Sequence, residues 1–146
     1  MTENEERTKE WLNRNYGLAL EISAMTRYLE RMESNIEKVC KPLRMKEVQE
    51  EPSGNTQEER MAEYIDLSAE LERKQMIMEA KDAETRRVID QMDSAILRTI
   101  LIERYMNRLR WKEMTEKLHF EQSRLFELHR QALDAVMPFV PKDERQ

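Results

Sequence analysis

The chain has 146 residues, of which 38% are charged, and its formal net charge at pH 7 is −5. This length allows one domain, or a small domain on an extended stalk, and so much charge with only two Gly and four Pro is typical of long solvated helices. No run of about 18 apolar residues occurs, and residues 1–6 are polar and acidic, so the sequence predicts neither a membrane span nor a secretory signal. We therefore expect a cytoplasmic protein without membrane contact.

Residues suited to metal binding or catalysis are few. The single cysteine, Cys40, and the two histidines, His119 and His129, are not at metal-ligand spacing. The chain has no Gly-rich phosphate loop, no nucleophile elbow and no His-Glu-x-x-His motif. We accordingly expect no catalytic residue, no cofactor and no metal, and do not expect an enzyme.

The first predicted helix runs from Trp11 to about Cys40, after residues 1–6 that should fray, and Pro42 ends it. Its apolar positions alternate at spacings of four and three residues, the seam of a coiled coil of about four heptads. The seam consists of Trp11, Asn15, Leu18, Ile22, Met25, Leu29, Met32, Ile36 and Val39. Asn15 is its polar member, and such a residue commonly fixes the register of a coiled coil.

A charged linker at about 41–58 is long enough to reverse the chain. Thr56 and Glu59 then have the spacing of a capping box that opens a second long helix, from about Gln57 toward Met92. Together the two helices predict an antiparallel, coiled-coil-like stalk over 1–92. Because one hairpin would bury too little apolar surface, we expect a homodimer through this stalk.

A compact head is predicted over 93–137, followed by a flexible tail over 138–146. One helix, at about 93–107, would pack across two shorter ones, Trp111–Leu118 and Gln122–Val136, which a tight turn at His119 to Glu121 connects. Their buried positions would be Trp111, Met114, Leu118, Leu125, Leu128, Ala132 and Leu133. This all-α pattern is the outline of a helix-turn-helix whose second helix faces the major groove.

Charge is divided unevenly between this head and the rest of the chain. From Leu97 to Leu133 there are eight bases and five acids, a net charge of +3, which leaves −8 for the remainder. Acid on the stalk would discourage it from lying along DNA, so the head is the expected contact surface.

Two stretches of the head, from Ile96 to Leu118 and from Arg124 to Leu133, contain a recognisable pattern. They resemble the region-4-like helix-turn-helix of bacterial sigma factors, and are most similar to the version in small phage proteins of the ArpU and RinA type. The resemblance covers about 40 residues well. It implies a phage or prophage transcription regulator that binds double-stranded DNA in the cytoplasm of its bacterial host.

Carried over by position, the resemblance implies groove-facing residues on the last helix and phosphate contacts near the start of the preceding one. The groove-facing set is Gln122, Ser123, Arg124, Phe126, Glu127 and Arg130, and the phosphate contacts are Arg110 and Lys112. By their own chemistry, Arg124 could bind guanine, Gln122 adenine and Glu127 cytosine, each with roughly 1–3 kcal/mol of discrimination. Phe126 suits either a thymine methyl group or packing on a neighbour.

Four residues depart from the family pattern. Arg108 and His119 stand where the family usually has Gly, while Arg110 and Glu121 stand at helix starts where it often has Ser. A non-Gly residue after a helix must either adopt a left-handed conformation or move the turn by one residue. The angle between the two helices depends on which occurs.

Two other functions fit the same residues. The head could be a protein-interaction adaptor that docks on RNA polymerase or another host factor, or part of a phage DNA-packaging complex. Phosphate contacts make affinity fall steeply with salt, whereas protein docking is far less sensitive, so salt dependence separates a DNA reader from an adaptor.

Overall fold

A computed structural model describes residues 2–40 and 56–142, and every regular element in these ranges is helical. The helices are α1 (Glu3–Leu12), α2 (Tyr16–Cys40), α3 (Gln57–Asp90), α4 (Ala95–Leu101), α5 (Trp111–Leu118) and α6 (Gln122–Val136). A π-helical segment, Ile102–Met106, follows α4, and a 3-10 turn, Met137–Phe139, follows α6. The all-α prediction is confirmed for this part of the chain. Most of the linker predicted at 41–58 lies outside the described residues.

None of the helices in the described ranges is long and apolar enough to cross a membrane.

The chain divides into two compact units. The first, here called the core unit, combines Met1–Tyr16 with Glu79–Gln146, and the second, the long-helix unit, is Gly17–Met78. The predicted head at 93–137 therefore belongs to a larger unit, which also includes residues predicted to be stalk.

The first predicted helix is divided in the structure, so the prediction of one helix from Trp11 to Cys40 is wrong. Helix α1 ends at Leu12 and α2 begins at Tyr16. The turn between them is held by the Arg14 guanidinium, whose Nη1 donates to the carbonyl oxygen of Trp11 at 2.9 Å and to Thr85 Oγ1 at 3.0 Å. Since Trp11 and Leu12 are both buried, they belong to a packed core rather than to a seam.

The start of α1 is ordered by a capping box, so the expected fraying is wrong for residues 2–6. The Glu5 N–H donates to Thr2 Oγ1, and the Thr2 N–H donates to Glu5 Oε1, both at 3.1 Å. These bonds satisfy amide groups that a helix start otherwise leaves without partners.

The main apolar core of the core unit joins α1 to α6 and to the ends of α3 and α4. Its buried members are Trp11, Leu12, Val88, Ile89, Met92, Leu101, Tyr105, Ala132, Leu133, Val136 and Val140. Val140 is 3% exposed, so the predicted flexible tail is wrong for 138–140. Pro138 lies in the first turn of the 3-10 helix, where a missing N–H costs little, and the chain turns back onto the core. Residues 143–146 lie outside the described ranges.

A second core fixes α5 against α6. It contains Ile100, Met114, Leu125 and Leu128, all buried. The bounds of α5 and α6 agree with the sequence prediction, as does the burial of Met114, Leu125, Leu128, Ala132 and Leu133. Trp111 and Leu118 are half-buried.

In the long-helix unit, α3 opens with the predicted capping box. Glu59 N–H donates to Thr56 Oγ1 at 3.1 Å, and Thr56 N–H donates to Glu59 Oε1 at 3.0 Å. An ion pair of 3.4 Å joins Lys74 of α3 to Glu21 of α2. Several apolar side chains remain at least half exposed: Leu20, Ile65, Met76 and Ile77.

Candidate nucleic-acid interface

The turn between α5 and α6 forms without glycine. His119 ends α5 in the left-handed conformation, with φ 62° and ψ 34°, and its N–H donates to the Thr115 carbonyl at 2.9 Å. Arg108 likewise has a φ of 59°. Of the two outcomes that the sequence left open, the non-Gly residues therefore adopt the left-handed conformation, and α6 begins where predicted.

Both helix starts lack a small polar cap. Arg110 and Glu121 are the N-cap residues of α5 and α6. At α5, Glu113 Oε1 accepts from the Arg110 N–H at 2.7 Å, and this bond is the first cause of the lowered pKa of Glu113. Among the described residues, no side chain caps α6, so its first amide groups can donate to an anion.

The six candidate residues on α6 are all exposed. Five of them, namely Ser123, Arg124, Phe126, Glu127 and Arg130, line one open groove of about 730 Å³, together with Glu5, Gln131 and Asp134. Gln122 lies outside that groove. Arg110 and Lys112 are also exposed, at the start of α5.

Arg124 already has a partner on the surface. Its Nη1 is 2.9 Å from Glu127 Oε1, and the two side chains are 52% and 61% exposed. Exposed pairs of this kind contribute only about 0–1 kcal/mol, so a base or phosphate can displace Glu127 at little cost.

Arg130 lies near α1, which packs against α6, although its side chain is 59% exposed. Arg130 Nη2 lies 3.9 Å from Glu5 Oε1, and the Glu5 side chain is only 6% exposed. The hydrogen bond from Thr2, and then the charge of Arg130, lower the pKa of Glu5. Burial and the neighbouring Glu5 raise the pKa of Asp134. The position of Glu5 beside α6 was not predicted from the sequence, because residues 1–92 were assigned to the stalk.

An aromatic cluster holds α6 in place. The ring of Phe126 meets that of Trp111 edge to face at 4.9 Å, and His129 meets the same indole at 4.9 Å. His129 is buried and its Nε2 is 2.7 Å from Tyr105 Oη; burial is the main cause that lowers its pKa to about 4. Phe126 therefore packs on a neighbour, yet it remains 42% exposed.

The balance of charge changes when the whole core unit is considered. Met1–Tyr16 and Glu79–Gln146 together contain 16 bases and 17 acids, so the net charge of the unit is −1. The surplus of base predicted for the head is thus a local property. It is strongest near the start of α5, where Arg104, Arg108 and Arg110 line one cavity.

Comparison of the chain with family models, with curated proteins and with solved structures found no match. Within the described ranges, no group of three or more His, Cys, Asp or Glu side chains could hold a metal ion.

Proposed function

We propose that this chain is a sequence-specific DNA-binding transcription regulator of phage or prophage origin, with α5 and α6 as a helix-turn-helix and α6 in the major groove. The observation that carries the proposal is the division of α6 into two faces. Gln122, Ser123, Arg124 and Glu127 are exposed on one face, while Leu125 and Leu128 anchor the opposite face in the core.

In this proposal, Arg124 leaves Glu127 and donates two parallel hydrogen bonds to guanine, which frees Glu127 to accept from cytosine. Arg110, Lys112 and the uncapped start of α6 bind phosphates and set the orientation of the helix. A homodimer is supported by Ile65, Met76 and Ile77 of the long-helix unit, which stay at least half exposed.

Direct titration with a mixed-sequence DNA duplex at several salt concentrations tests DNA binding. With about four phosphate contacts, log affinity should fall with log salt with a slope of about −3 to −4. Arg124→Ala should weaken binding to a preferred duplex by about 10-fold or more, since a bidentate base contact contributes roughly 1–3 kcal/mol.

Arg7→Ala is the matched control, because Arg7 is 51% exposed and forms a 3.0 Å surface ion pair with Glu3 on α1. Its affinity for DNA should equal that of the unaltered protein. Binding without salt dependence, or an equal loss in both variants, would argue against the proposal.

A protein-interaction adaptor is the second candidate, and a second surface favours it. An apolar cavity of about 180 Å³ lies between α4 and the end of α5, lined by Ala95, Ile96, Thr99, Ile100, Leu118 and Phe120. Ile96 is 53% exposed there. Docking of RNA polymerase or another host factor on this surface would be far less sensitive to salt, so the same titration, with that partner, separates the two functions.

A further inference from the structure

A cavity of about 320 Å³ lies beside the start of α5, within the core unit. It is lined by Asn13, Tyr16, Arg104, Arg108 and Arg110, three bases without a carboxylate. The groove along α6 and the cavity near the end of α3 both contain three acids beside two bases. The basic cavity therefore differs in its charge from these two cavities.

Two of the three arginines are held in place by backbone carbonyls. Arg104 Nη1 donates to the Leu109 oxygen at 2.9 Å, and its guanidinium lies 4.5 Å from the centre of the Trp111 ring. Arg108 Nη1 donates to the Tyr105 oxygen at 3.0 Å. These partners are neutral, so they orient the guanidinium groups without cancelling their charge.

The nearest carboxylates balance the cavity only in part. Asp82 Oδ1 is 3.9 Å from Arg108 Nη2, and Glu113 Oε1 is 3.6 Å from Arg110 Nε, so neither is within good hydrogen-bonding distance. Arg108 Nη2 is buried and has no hydrogen-bond partner among the described residues. Among the described residues, no carboxylate lies within 4.0 Å of the Arg104 guanidinium.

We propose that this cavity binds a small molecule that carries a phosphomonoester or diphosphate group. Guanidinium forks match the oxygens of phosphate, and three of them suit an anion of charge about −2 or more, which a phosphomonoester carries near neutral pH. A DNA phosphate has a single charge and would leave the cavity less well balanced. This ligand site does not depend on the proposed function.

The neutral lining residues and the volume narrow the class of ligand. Asn13 and Tyr16 add an amide and a hydroxyl, and the Tyr16 side chain, at 49% exposure, offers a ring face at the cavity. A volume of about 320 Å³ is at the lower end of the range for small-molecule sites. The cavity therefore suits a ligand somewhat larger than inorganic phosphate.

Calorimetric titration of the full chain with pyrophosphate, at constant ionic strength, tests the proposal. We expect saturable binding with one site per chain. Arg110→Gln should weaken it by about 10-fold, because Arg110 is largely exposed and can be replaced without disturbing the core. Arg104→Gln, checked for retained helicity, should weaken it similarly.

Lys117→Gln is the control, since Lys117 is an exposed base on the same helix that does not line the cavity. It should bind pyrophosphate as the unaltered protein does. Absence of saturation at millimolar pyrophosphate, or equal weakening by Lys117→Gln, would overturn the proposal. A third result would also overturn the proposal: the protein does not bind pyrophosphate, and Arg110→Gln, but not Lys117→Gln, loses affinity for a DNA duplex. That result would assign the cavity to a DNA phosphate.

Discussion

His119 connects α5 to α6 in a backbone conformation that disfavours most side chains. A left-handed residue other than Gly costs roughly 1–2 kcal/mol, because its Cβ approaches a carbonyl oxygen. The imidazole is exposed, so it recovers little of this cost through packing. The turn is thus formed in spite of the residue, because the cores on either side determine its geometry.

We expect His119→Gly to raise the free energy of unfolding by about 0.5–1 kcal/mol. The free energy gained by removing the backbone strain should exceed the entropic cost of the greater freedom of Gly in the unfolded chain. Urea denaturation measures the change. Lys117→Gly, in the preceding turn of α5, should lower the same free energy by about 1 kcal/mol. A loss of stability in His119→Gly would contradict the left-handed assignment.

His129 couples the stability of the core unit to pH. Burial, and then the charges of Lys9 and Arg104, lower its pKa to about 4, whereas Glu5 acts in the opposite direction. In the unfolded chain His129 has its ordinary pKa of about 6.5. Its contribution to folding stability is therefore fully present above that pH, where the imidazole is neutral in both states, and is lost as the pH falls toward the folded-state pKa. Stability should fall by at most about 3 kcal/mol as the pH decreases from about 6.5 to about 4.

Urea denaturation across this pH range tests the coupling. His129→Gln should show a flatter pH dependence within it, because no imidazole remains to be protonated. His119→Asn removes the other, exposed histidine and should retain the original slope. Equal slopes in the unaltered protein and in His129→Gln would show that other groups are responsible.

At the level of elements, α1 is where expectation and structure differ most. The spacing from Trp11 to Asn15 is compatible both with a coiled-coil seam and with a short helix that ends at Leu12. What distinguishes them is the contact of Arg14 with Lys81, Glu84 and Thr85, about 70 residues away in sequence. No local pattern contains that information.

Substitution of Leu12 distinguishes these two interpretations. In the coiled-coil interpretation Leu12 lies off the seam, whereas in the structure it is 2% exposed and packs in the main core. We expect Leu12→Ala to lower the free energy of unfolding by about 2–5 kcal/mol. Leu20→Ala, at a position 54% exposed on α2, should change it by less than about 0.5 kcal/mol. If Leu12→Ala and Leu20→Ala both changed the free energy of unfolding by similarly small amounts, the result would support the coiled-coil interpretation.

Helices α5 and α6 were predictable because several local signals agree. Their apolar residues have helical spacing, and the break between them is only three residues long. In the π-helical segment, the Asn107 N–H donates to the Ile102 carbonyl oxygen at 2.9 Å, so this turn contains one residue more than an α-helical turn. The segment was not predictable, because the extra residue does not disturb the spacing of the apolar residues. It changes the direction of the side chains that follow, which include Arg108.

For the whole molecule, the organisation of charge could be inferred from sequence only in part. The surplus of base in the head was evident, as were the exposed candidates on α6. The acids that α1 brings beside Arg130, and the basic cavity that Asn13 and Tyr16 complete, require the fold. The proposed DNA contact therefore depends on a few well-placed bases rather than on net charge.

The most direct test of the DNA-reading proposal is selection of bound fragments from a random duplex pool, with the intact protein, Arg124→Ala and Arg7→Ala. We predict that the intact protein and Arg7→Ala enrich one defined motif, and that Arg124→Ala relaxes it at one base pair or loses it. A palindromic motif would support the dimer. If no duplex is enriched even at low salt, the DNA-reading proposal is contradicted.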